Sequence, residues 1–201
     1  MDTIIKKASP KDVDSIVKIH QAAFSGFFLT SLGEKFLRLY YSTFISCDKG
    51  VVYCAEKDNT IVGFSACSYV SRGFNYNLIR NNLFKYGIES VRLLFTRPRA
   101  IIRLLKNLNK EDGNNAVKDK GEYAELYSIA IVPSCQGEGV GKFLLEVTES
   151  DVGRHNKRIS LTTDYYNNDR TIGFYRSLGY QDYYDFVTYP NRRMWRLIKN
   201  L

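Results

Sequence analysis

The amino-acid sequence predicts a single mixed α/β domain, because β-rich runs alternate with segments of helical periodicity along its 201 residues. The run over 122–132 is nearly apolar throughout, which is typical of a strand in the centre of a sheet. A glycine-rich turn and an apolar helix pattern follow it directly. No internal repeat or low-complexity tract divides the chain.

The first half of the chain predicts one strand, two helices and a hairpin. A short strand leads to Ser9 and Pro10, which suit the N-cap and first position of a helix that runs to about Phe24. Apolar spacing predicts a second helix over 31–44. Two β-rich runs then flank the polar turn at 57–59, which predicts a hairpin.

The second half predicts a helical insertion followed by alternating strands and helices. Two amphipathic helices are expected within 72–110, with an interruption at Pro98. The remaining elements are a strand at 122–132, a helix from about 139 to 155, a strand at 157–163, a helix that ends at Gly179 and two closing strands. The complete order is β-α-α-β-β-(αα)-β-α-β-α-β-β.

The composition argues against several classes of protein. The chain is 44% hydrophobic and 25% charged, and it contains no long apolar run, so we expect no transmembrane helix. The N-terminal residues lack an apolar signal region and the four cysteines form no C-x-x-C pair, so we expect free thiols and a cytoplasmic location. Two histidines offer little from which to build a metal site, and no metal is expected.

The net charge of +8 is concentrated in one segment. Residues 72–110 contain nine Lys and Arg residues and one acid, Glu89, whereas the acids and bases of the remaining chain balance. The basic character is therefore a property of the predicted helical insertion.

The stretch 135–145 reads CQGEGVGKFLL and places three glycines at alternate positions before a helix. Glycine leaves backbone amides open to a ligand, and a helix N-terminus favours an anion. The phosphate-loop pattern is absent because Phe143 follows the Gly-Lys pair, and the dinucleotide pattern fails because Lys142 stands where its third glycine belongs. The pattern that fits is Q-x-x-G-x-G, beginning at Gln136.

With the strand before it, this stretch resembles the acyl-CoA loop of the GNAT superfamily of N-acetyltransferases. Residues 168–180 are similar in register to a second signature of that superfamily, N-x-x-A-x-x-[FL]-Y-x-x-L-G-[FY], with Thr171 where alanine is usual. The two signatures cover roughly 122–183. The resemblance implies one N-acetyltransferase domain over 1–201, a mixed and mostly antiparallel sheet flanked by helices, and 72–110 as an inserted basic helical pair.

The resemblance also implies the anion, which is the pyrophosphate of coenzyme A, with acetyl-CoA as cosubstrate. The amides of 137–142 would converge on it at the helix start, with Gln136 and Lys142 adding contacts. Asn168 would hydrogen-bond the pantetheine arm or cap a helix. The expected cofactor-binding residues are Ile129, Ala130, Ile131, Gln136, Gly137, Glu138, Gly139, Val140, Gly141, Lys142, Asn168 and Tyr175.

Attack on a thioester requires a neutral amine, so catalysis benefits from a base, an oxyanion donor and a proton for the leaving thiolate. Tyr175 is the expected proton donor, since it occupies the tyrosine of the second signature. Glu125 is the expected base, because its spacing before Gln136 resembles that of the glutamate in the histone-acetylating branch. Glu122 or Tyr123 could serve instead.

Strand alternation predicts that Glu125, Tyr127, Ile129 and Ile131 share one face of the central strand. The backbone of Ile129 and Ile131 would then run beside the pantetheine, with the Ile131 N–H as candidate oxyanion donor. Other candidates have weaker roles: Cys135 is expected to be inert, His155 to cap a helix, and Tyr183, Tyr184 and Asp185 to line the acceptor cleft or fill a sheet face.

In the GNAT fold the connection that carries 72–110 lies near the acceptor entrance, so a +8 lid there favours an acidic acceptor or surface. Three interpretations remain: recognition of a small anionic amine such as a nucleotide-linked amino sugar, weak contact with an anionic membrane, or apolar faces packed on the domain with solvated charges. Nucleic acid is disfavoured, because the aromatic residues of the segment fall on helical apolar faces.

We therefore expect an acetyl-CoA-dependent N-acetyltransferase, monomeric or homodimeric, that acts on a small anionic amine. Protein or peptide amines are the alternative acceptors, and a non-catalytic acyl-CoA-binding module is the alternative class.

Overall fold

The structure is a computed structural model that describes residues 3–99, 119–188 and 190–201. Its strands are β1 (Ile4–Lys7), β2 (Gly50–Lys57), β3 (Thr60–Ser68), β4 (Ala124–Ile131), β5 (Arg158–Asp164), β6 (Gln181–Thr188) and β7 (Arg192–Asn200). Its helices are α1 (Val13–Ala23), α2 (Phe28–Ser31), α3 (Glu34–Ile45), α4 (Phe74–Arg80), α5 (Leu83–Thr96), α6 (Val140–Val152) and α7 (Asp169–Ser177). The predicted second helix of the basic pair lies outside the described residues.

The strands form one open sheet in the order β1-β2-β3-β4-β5-β7-β6. Every neighbouring pair is antiparallel except β4 and β5, which are parallel. Helices α1 and α3 pack on one face, while α6 and α7 pack on the other. The apolar strand β4 is thus central, and the predicted mixed, mostly antiparallel sheet is confirmed.

Two helices differ from the prediction. The helix expected over 31–44 begins three residues later, because Gly33 adopts a φ of 93° that separates α2 from α3. Helix α4 was not predicted as a separate element. In contrast, α5 ends at Thr96, just before Pro98, as its apolar period predicted.

The parallel pairing of β4 and β5 is short. It runs from Ala124 opposite Ile159 to Leu126 opposite Leu161. Beyond this point β4 continues to Ile131 and β5 to Asp164 without pairing with each other, although each stays paired with its other neighbour. The sheet therefore opens into a V on one side of its centre.

A β-bulge lies at the point where the V opens. Ala66 of β3 is opposite Ser128 and Cys67 is opposite Leu126, so Tyr127 is an extra residue in β4. Tyr127 packs in the core under α3, whereas Ile129 packs in the core under α6. The prediction that Glu125, Tyr127, Ile129 and Ile131 share one face is therefore wrong, because the bulge changes the alternation within the strand.

Candidate active site

The glycine-rich turn presents an unpartnered row of amides. Gly137 and Gly139 have φ values of 85° and 83°, a region in which residues with a Cβ are strained. In the part of the chain that the structure describes, the amides from Gly137 to Lys142 donate to no protein group. They lie at the N-terminus of α6, so the turn is suited to an anion.

A cavity of about 540 Å³, here called the cofactor cavity, lies against this turn. It joins the glycine-rich turn to the V of the sheet and to α7. The predicted cofactor residues that line it are Ile129, Ala130, Ile131, Gln136, Gly137, Gly139, Gly141, Lys142 and Tyr175. The side chain of Gln136 donates to the Ile131 carbonyl at 3.1 Å.

Three predicted cofactor residues do not line this cavity. The carboxylate of Glu138 pairs with Lys57 at 2.7 Å, and Val140 is buried in a small core beneath the turn. The Nδ2 of Asn168 donates to Thr163 Oγ1 at 2.6 Å and to the Asp164 carbonyl at 3.1 Å. Asn168 thus occupies the N-cap position of α7, but its side chain bonds to β5.

Sequence reasoning missed other residues of the cofactor cavity. Arg170, Thr171 and Phe174 lie on α7 and face it, and Ala23 reaches it from the end of α1. Cys135, which was expected to be inert, is buried and also contributes to the wall. The α7 residues fall inside the second signature and could have been found by their helical spacing from Tyr175, whereas nothing in the sequence points to Ala23.

A second cavity of about 510 Å³, here called the acceptor cavity, lies on the other side of the V. Phe24, Phe27 and Phe28 give it an aromatic wall, and Thr162 and Thr163 line it from β5. The two cavities share four lining residues, which are Ala23, Ile129, Thr171 and Tyr175. The two cavities therefore adjoin each other at Tyr175.

The side chain of Tyr175 is buried at this junction. Its hydroxyl makes no hydrogen bond to any of the described residues. Burial raises the pKa of Tyr175 above its ordinary value, so the phenol keeps its proton at neutral pH. Tyr175 is thus a protonated, unpartnered donor between the two cavities.

Strand β4 directs amides into the V. The Val132 N–H donates to the Val62 carbonyl at 2.8 Å, on the β3 side. Since amides alternate in direction along a strand, the N–H groups of Ile131 and Ile129 point away from β3, toward the side on which β5 has separated. Ile129 also lies at the junction of the cavities.

The carboxylate of Glu125 is engaged outside both cavities. It accepts a hydrogen bond from Ser71 and pairs with Arg196, whose Nη1 lies 3.1 Å away. Both side chains of the pair are 13% exposed. Glu125 lines neither cavity. Burial raises the pKa of Tyr127, and the charge of Glu125 adds to this effect, so Tyr127, which lines the acceptor cavity, lies within electrostatic reach of the carboxylate. The role of Glu125 as base stays a prediction.

A buried polar chain borders the acceptor cavity. His20 Nδ1 lies 2.7 Å from the Tyr41 hydroxyl, which in turn donates to Ser128 Oγ at 3.3 Å. That direction makes Nδ1 the protonated nitrogen of His20. Its Nε2 is buried and has no partner among the described residues. Desolvation lowers the pKa of His20 to about 4, so the imidazole is neutral at pH 7.

An ion pair lies at the β5 end of the acceptor cavity. Arg192 donates from Nε and Nη2 to the two carboxylate oxygens of Asp164, at 2.5 and 2.6 Å. Its guanidinium also lies over the Phe27 ring, 4.2 Å from the centroid. Within the described chain, Nη1 of Arg192 has no acceptor, so it is free to bind a negative group.

The remaining candidates lie away from the cavities. Tyr184 donates to Asp119 at 2.5 Å, Asp185 pairs with Arg193 at 2.7 Å, and His155 stacks on Tyr69. Tyr123 donates to Asp119 as well. The expected role of 72–110 as a lid gains no support from its described part, since residues 72–99 line neither cavity.

The described ranges contain no candidate metal site and no candidate membrane-spanning helix. No group of three or more His, Cys, Asp or Glu side chains there could hold a metal ion. No helix in those ranges combines the length and apolar character that crossing a bilayer requires.

The fold, with an anion-binding turn beside one of two adjacent cavities, indicates a class of protein: a transferase that uses an acyl-CoA. The sequence matches the family model described as Acetyltransferase (GNAT) family over residues 13–180. The chain belongs to this family, and it is an acetyl-CoA-dependent N-acetyltransferase.

Solved structures share the fold at low sequence identity. The ribosomal-protein-S18-alanine N-acetyltransferase of Escherichia coli superposes with a TM-score of 0.62 at 15% identity, covering 99% of this chain and 94% of that one. An IAA acetyltransferase from Bacillus cereus gives 0.55 at 12% identity, covering 100% of each. One chain from the crystal structure of the NatC complex bound to Gag peptide and CoA gives a TM-score of 0.59 at 15% identity, covering 100% of this chain and 99% of that one. No curated protein matches the sequence significantly.

Proposed function

We propose that this enzyme transfers the acetyl group of acetyl-CoA directly to the primary amine of a small, negatively charged acceptor. The observation that carries the proposal is the meeting of the cofactor and acceptor cavities at Tyr175 and Ile129. A thioester delivered through the V would present its carbonyl to an amine on the other side. The C–N bond can then form and the C–S bond break without a covalent enzyme intermediate.

The groups at the junction supply the chemistry that this step needs. An amide of β4, from Ile129 or Ile131, would donate to the oxyanion of the tetrahedral intermediate. Tyr175 would give its phenolic proton to the leaving sulfur. Glu125 would accept the proton of the amine by way of Tyr127, which lines the acceptor cavity and interacts electrostatically with the carboxylate.

The charge of the acceptor is inferred from Arg192. Two of its nitrogens are held by Asp164, which fixes the guanidinium, and the residue lines the cavity with no acceptor for Nη1 among the described residues. A phosphate or carboxylate on the acceptor would accept from Nη1. The described basic segment does not line this cavity, so recognition is assigned to Arg192.

Free-thiol release from acetyl-CoA with a panel of amines tests the proposal. The panel contains nucleotide-linked amino sugars, plain amino sugars, polyamines, amino acids and lysine peptides. We expect an anionic small amine to be the fastest, with KM for that amine rising at least tenfold in Arg192→Gln and KM for acetyl-CoA unchanged. Arg193→Gln is the matched control, because Arg193 pairs with Asp185 and lines neither cavity.

Other outcomes would replace the proposal. Fast acetylation of peptides alone would make the enzyme a protein acetyltransferase. Acetyl-CoA binding without turnover across the panel would favour a binding module. A reducing cytoplasmic compartment is also part of the proposal, because Cys47, Cys54, Cys67 and Cys135 are all free thiols.

A further inference from the structure

Helix α5 turns its most apolar side toward solvent. Phe84, Ile88, Val91 and Phe95 recur at helical spacing and form one stripe, here called the α5 stripe. Their exposed fractions are 81%, 58%, 56% and 85%. The interpretation in which the apolar faces of this segment pack on the domain therefore fails for α5.

The opposite side of α5 fixes this orientation. Leu93 is 1% exposed and packs on Leu32, and the Tyr86 hydroxyl lies 2.8 Å from Thr43 Oγ1 on α3. Beyond the helix, Arg97 donates to the Ser31 carbonyl at 2.8 Å. These contacts fasten α5 to α2 and α3, and the helical period then places the stripe on the outer side.

The surroundings of the stripe are basic. Lys85 and Arg92 flank it along the helix, Arg80 precedes it, and Arg97 and Arg99 follow it. The acid of this segment, Glu89, is buried and paired with Arg92, whose Nε donates to it at 2.8 Å. Exposed apolar side chains that recur along one helix face with a basic rim are typical of an interaction surface.

We propose that the α5 stripe docks on an anionic lipid surface. Phenylalanine and aliphatic side chains would enter the interface between headgroups and acyl chains, while Arg80, Lys85 and Arg99 would meet lipid phosphates. A second copy of the chain is a poorer occupant, because facing stripes would bring like-charged rims together. This inference does not depend on the proposed acceptor, since docking requires no turnover.

Co-sedimentation of the full-length protein with vesicles tests the inference. Vesicles of phosphatidylcholine alone are compared with vesicles that also contain about 30% phosphatidylglycerol. We expect binding to the anionic vesicles only, with the bound fraction falling as salt rises. Phe84→Asp with Phe95→Asp should lower partition at least tenfold, and Lys85→Glu should lower it several-fold. Ile4→Asp is the matched control, since Ile4 is 61% exposed on the edge strand β1.

Three results would overturn the inference: equal binding to neutral and anionic vesicles, no binding to either, or unchanged binding by the double variant. Light scattering after size exclusion provides a further test without lipid. A dimer that dissociates in the double variant would make the stripe an interface between copies instead. Thermal melts of each variant show that the fold is retained, and acetyl-CoA turnover in solution reports separately on the proposed function.

Discussion

The Glu125 carboxylate on β4 lies 3.1 Å from Nη1 of Arg196 on β7, and both side chains are largely buried. Asp119 approaches the same guanidinium, 3.7 Å from its Nε. The residue expected from the sequence to be the base is therefore also a partner in a largely buried ion pair. A structural role in the ion pair and a catalytic role as base lead to different predictions for variants of Glu125.

Glu125→Gln is expected to lower the free energy of unfolding by about 3 kcal/mol, because a buried arginine loses one of its charge partners. Chemical denaturation of the variant measures this. If Glu125 is also the base, the acidic limb of the kcat/KM–pH profile disappears in the variant. Asp119→Asn removes another charge partner of Arg196 and should lower the free energy of unfolding without changing the pH profile of kcat/KM. An unchanged profile in both variants would leave Glu125 as a structural residue.

Tyr175→Phe is expected to lower kcat at least tenfold and to leave acetyl-CoA affinity unchanged, because the lost proton serves only the departing sulfur. Stopped-flow or steady-state thiol release measures kcat, and calorimetry measures affinity. The control is Tyr180→Phe, since Tyr180 packs on Tyr175 but its hydroxyl donates to Glu149 at 2.9 Å. That variant should lose about 2 kcal/mol of stability and keep its turnover. Full activity of Tyr175→Phe would remove Tyr175 from the mechanism.

Gly141→Ala is expected to weaken acetyl-CoA binding at least tenfold without destabilising the free enzyme. The backbone of Gly141 is helical, and an added Cβ would meet Ile131 Cγ1 at an ordinary 3.6 Å. Alanine should therefore stabilise the helix by up to about 1 kcal/mol, while its methyl group enters the cofactor cavity.

Gly173→Ala is the matched control for this experiment. Gly173 lies within α7, an added Cβ there meets nothing within 4 Å, and the residue lines neither cavity. It should gain the same stability with no change in Kd. Equal affinities in the two variants would argue that the cofactor does not approach the backbone at Gly141.

The buried His20 makes stability depend on pH in a defined window. Its pKa is about 4 in the folded protein against 6.5 in an unfolded chain, so unfolding takes up a proton between these values. The free energy of unfolding is unaffected by this group above pH 6.5 and falls as the pH is lowered from 6.5 toward 4. At pH 4.5 the loss amounts to about 2–3 kcal/mol. His20→Gln should lose less stability than wild type between pH 7 and 4.5. Parallel losses in denaturation experiments would contradict the buried neutral imidazole.

The sequence predicted what depends on local pattern. The glycine-rich turn before α6 and the tyrosine of α7 were found because each is a short signature with a fixed secondary structure. The Asp58-Asn59 hairpin turn was found because these residue types tolerate the φ values of 52° and 59° that they adopt.

What the sequence could not predict depends on contacts between distant elements. The bulge at Tyr127 is a property of the β3–β4 register and leaves no mark in an apolar run, so strand alternation assigned Ile129 and Ile131 to the wrong face. The acceptor cavity joins α1, α2, β5 and the start of β7, and its Asp164–Arg192 pair spans 28 positions. The sequence also could not predict that the α5 stripe faces solvent, because periodicity identifies an apolar face but not the side of the helix on which the domain packs.

The short helix α2 lies between the acceptor cavity and the inner side of α5. Phe28 and Leu29 line the acceptor cavity, and the same residues pack against the Leu32–Leu93 contact that holds α5. Under the proposed function, a change in how α5 packs on α2 would therefore alter the wall that the acceptor contacts. Since linkage between two binding events is reciprocal, a lipid surface that shifts this wall would change acceptor affinity by the same factor by which the acceptor changes lipid affinity.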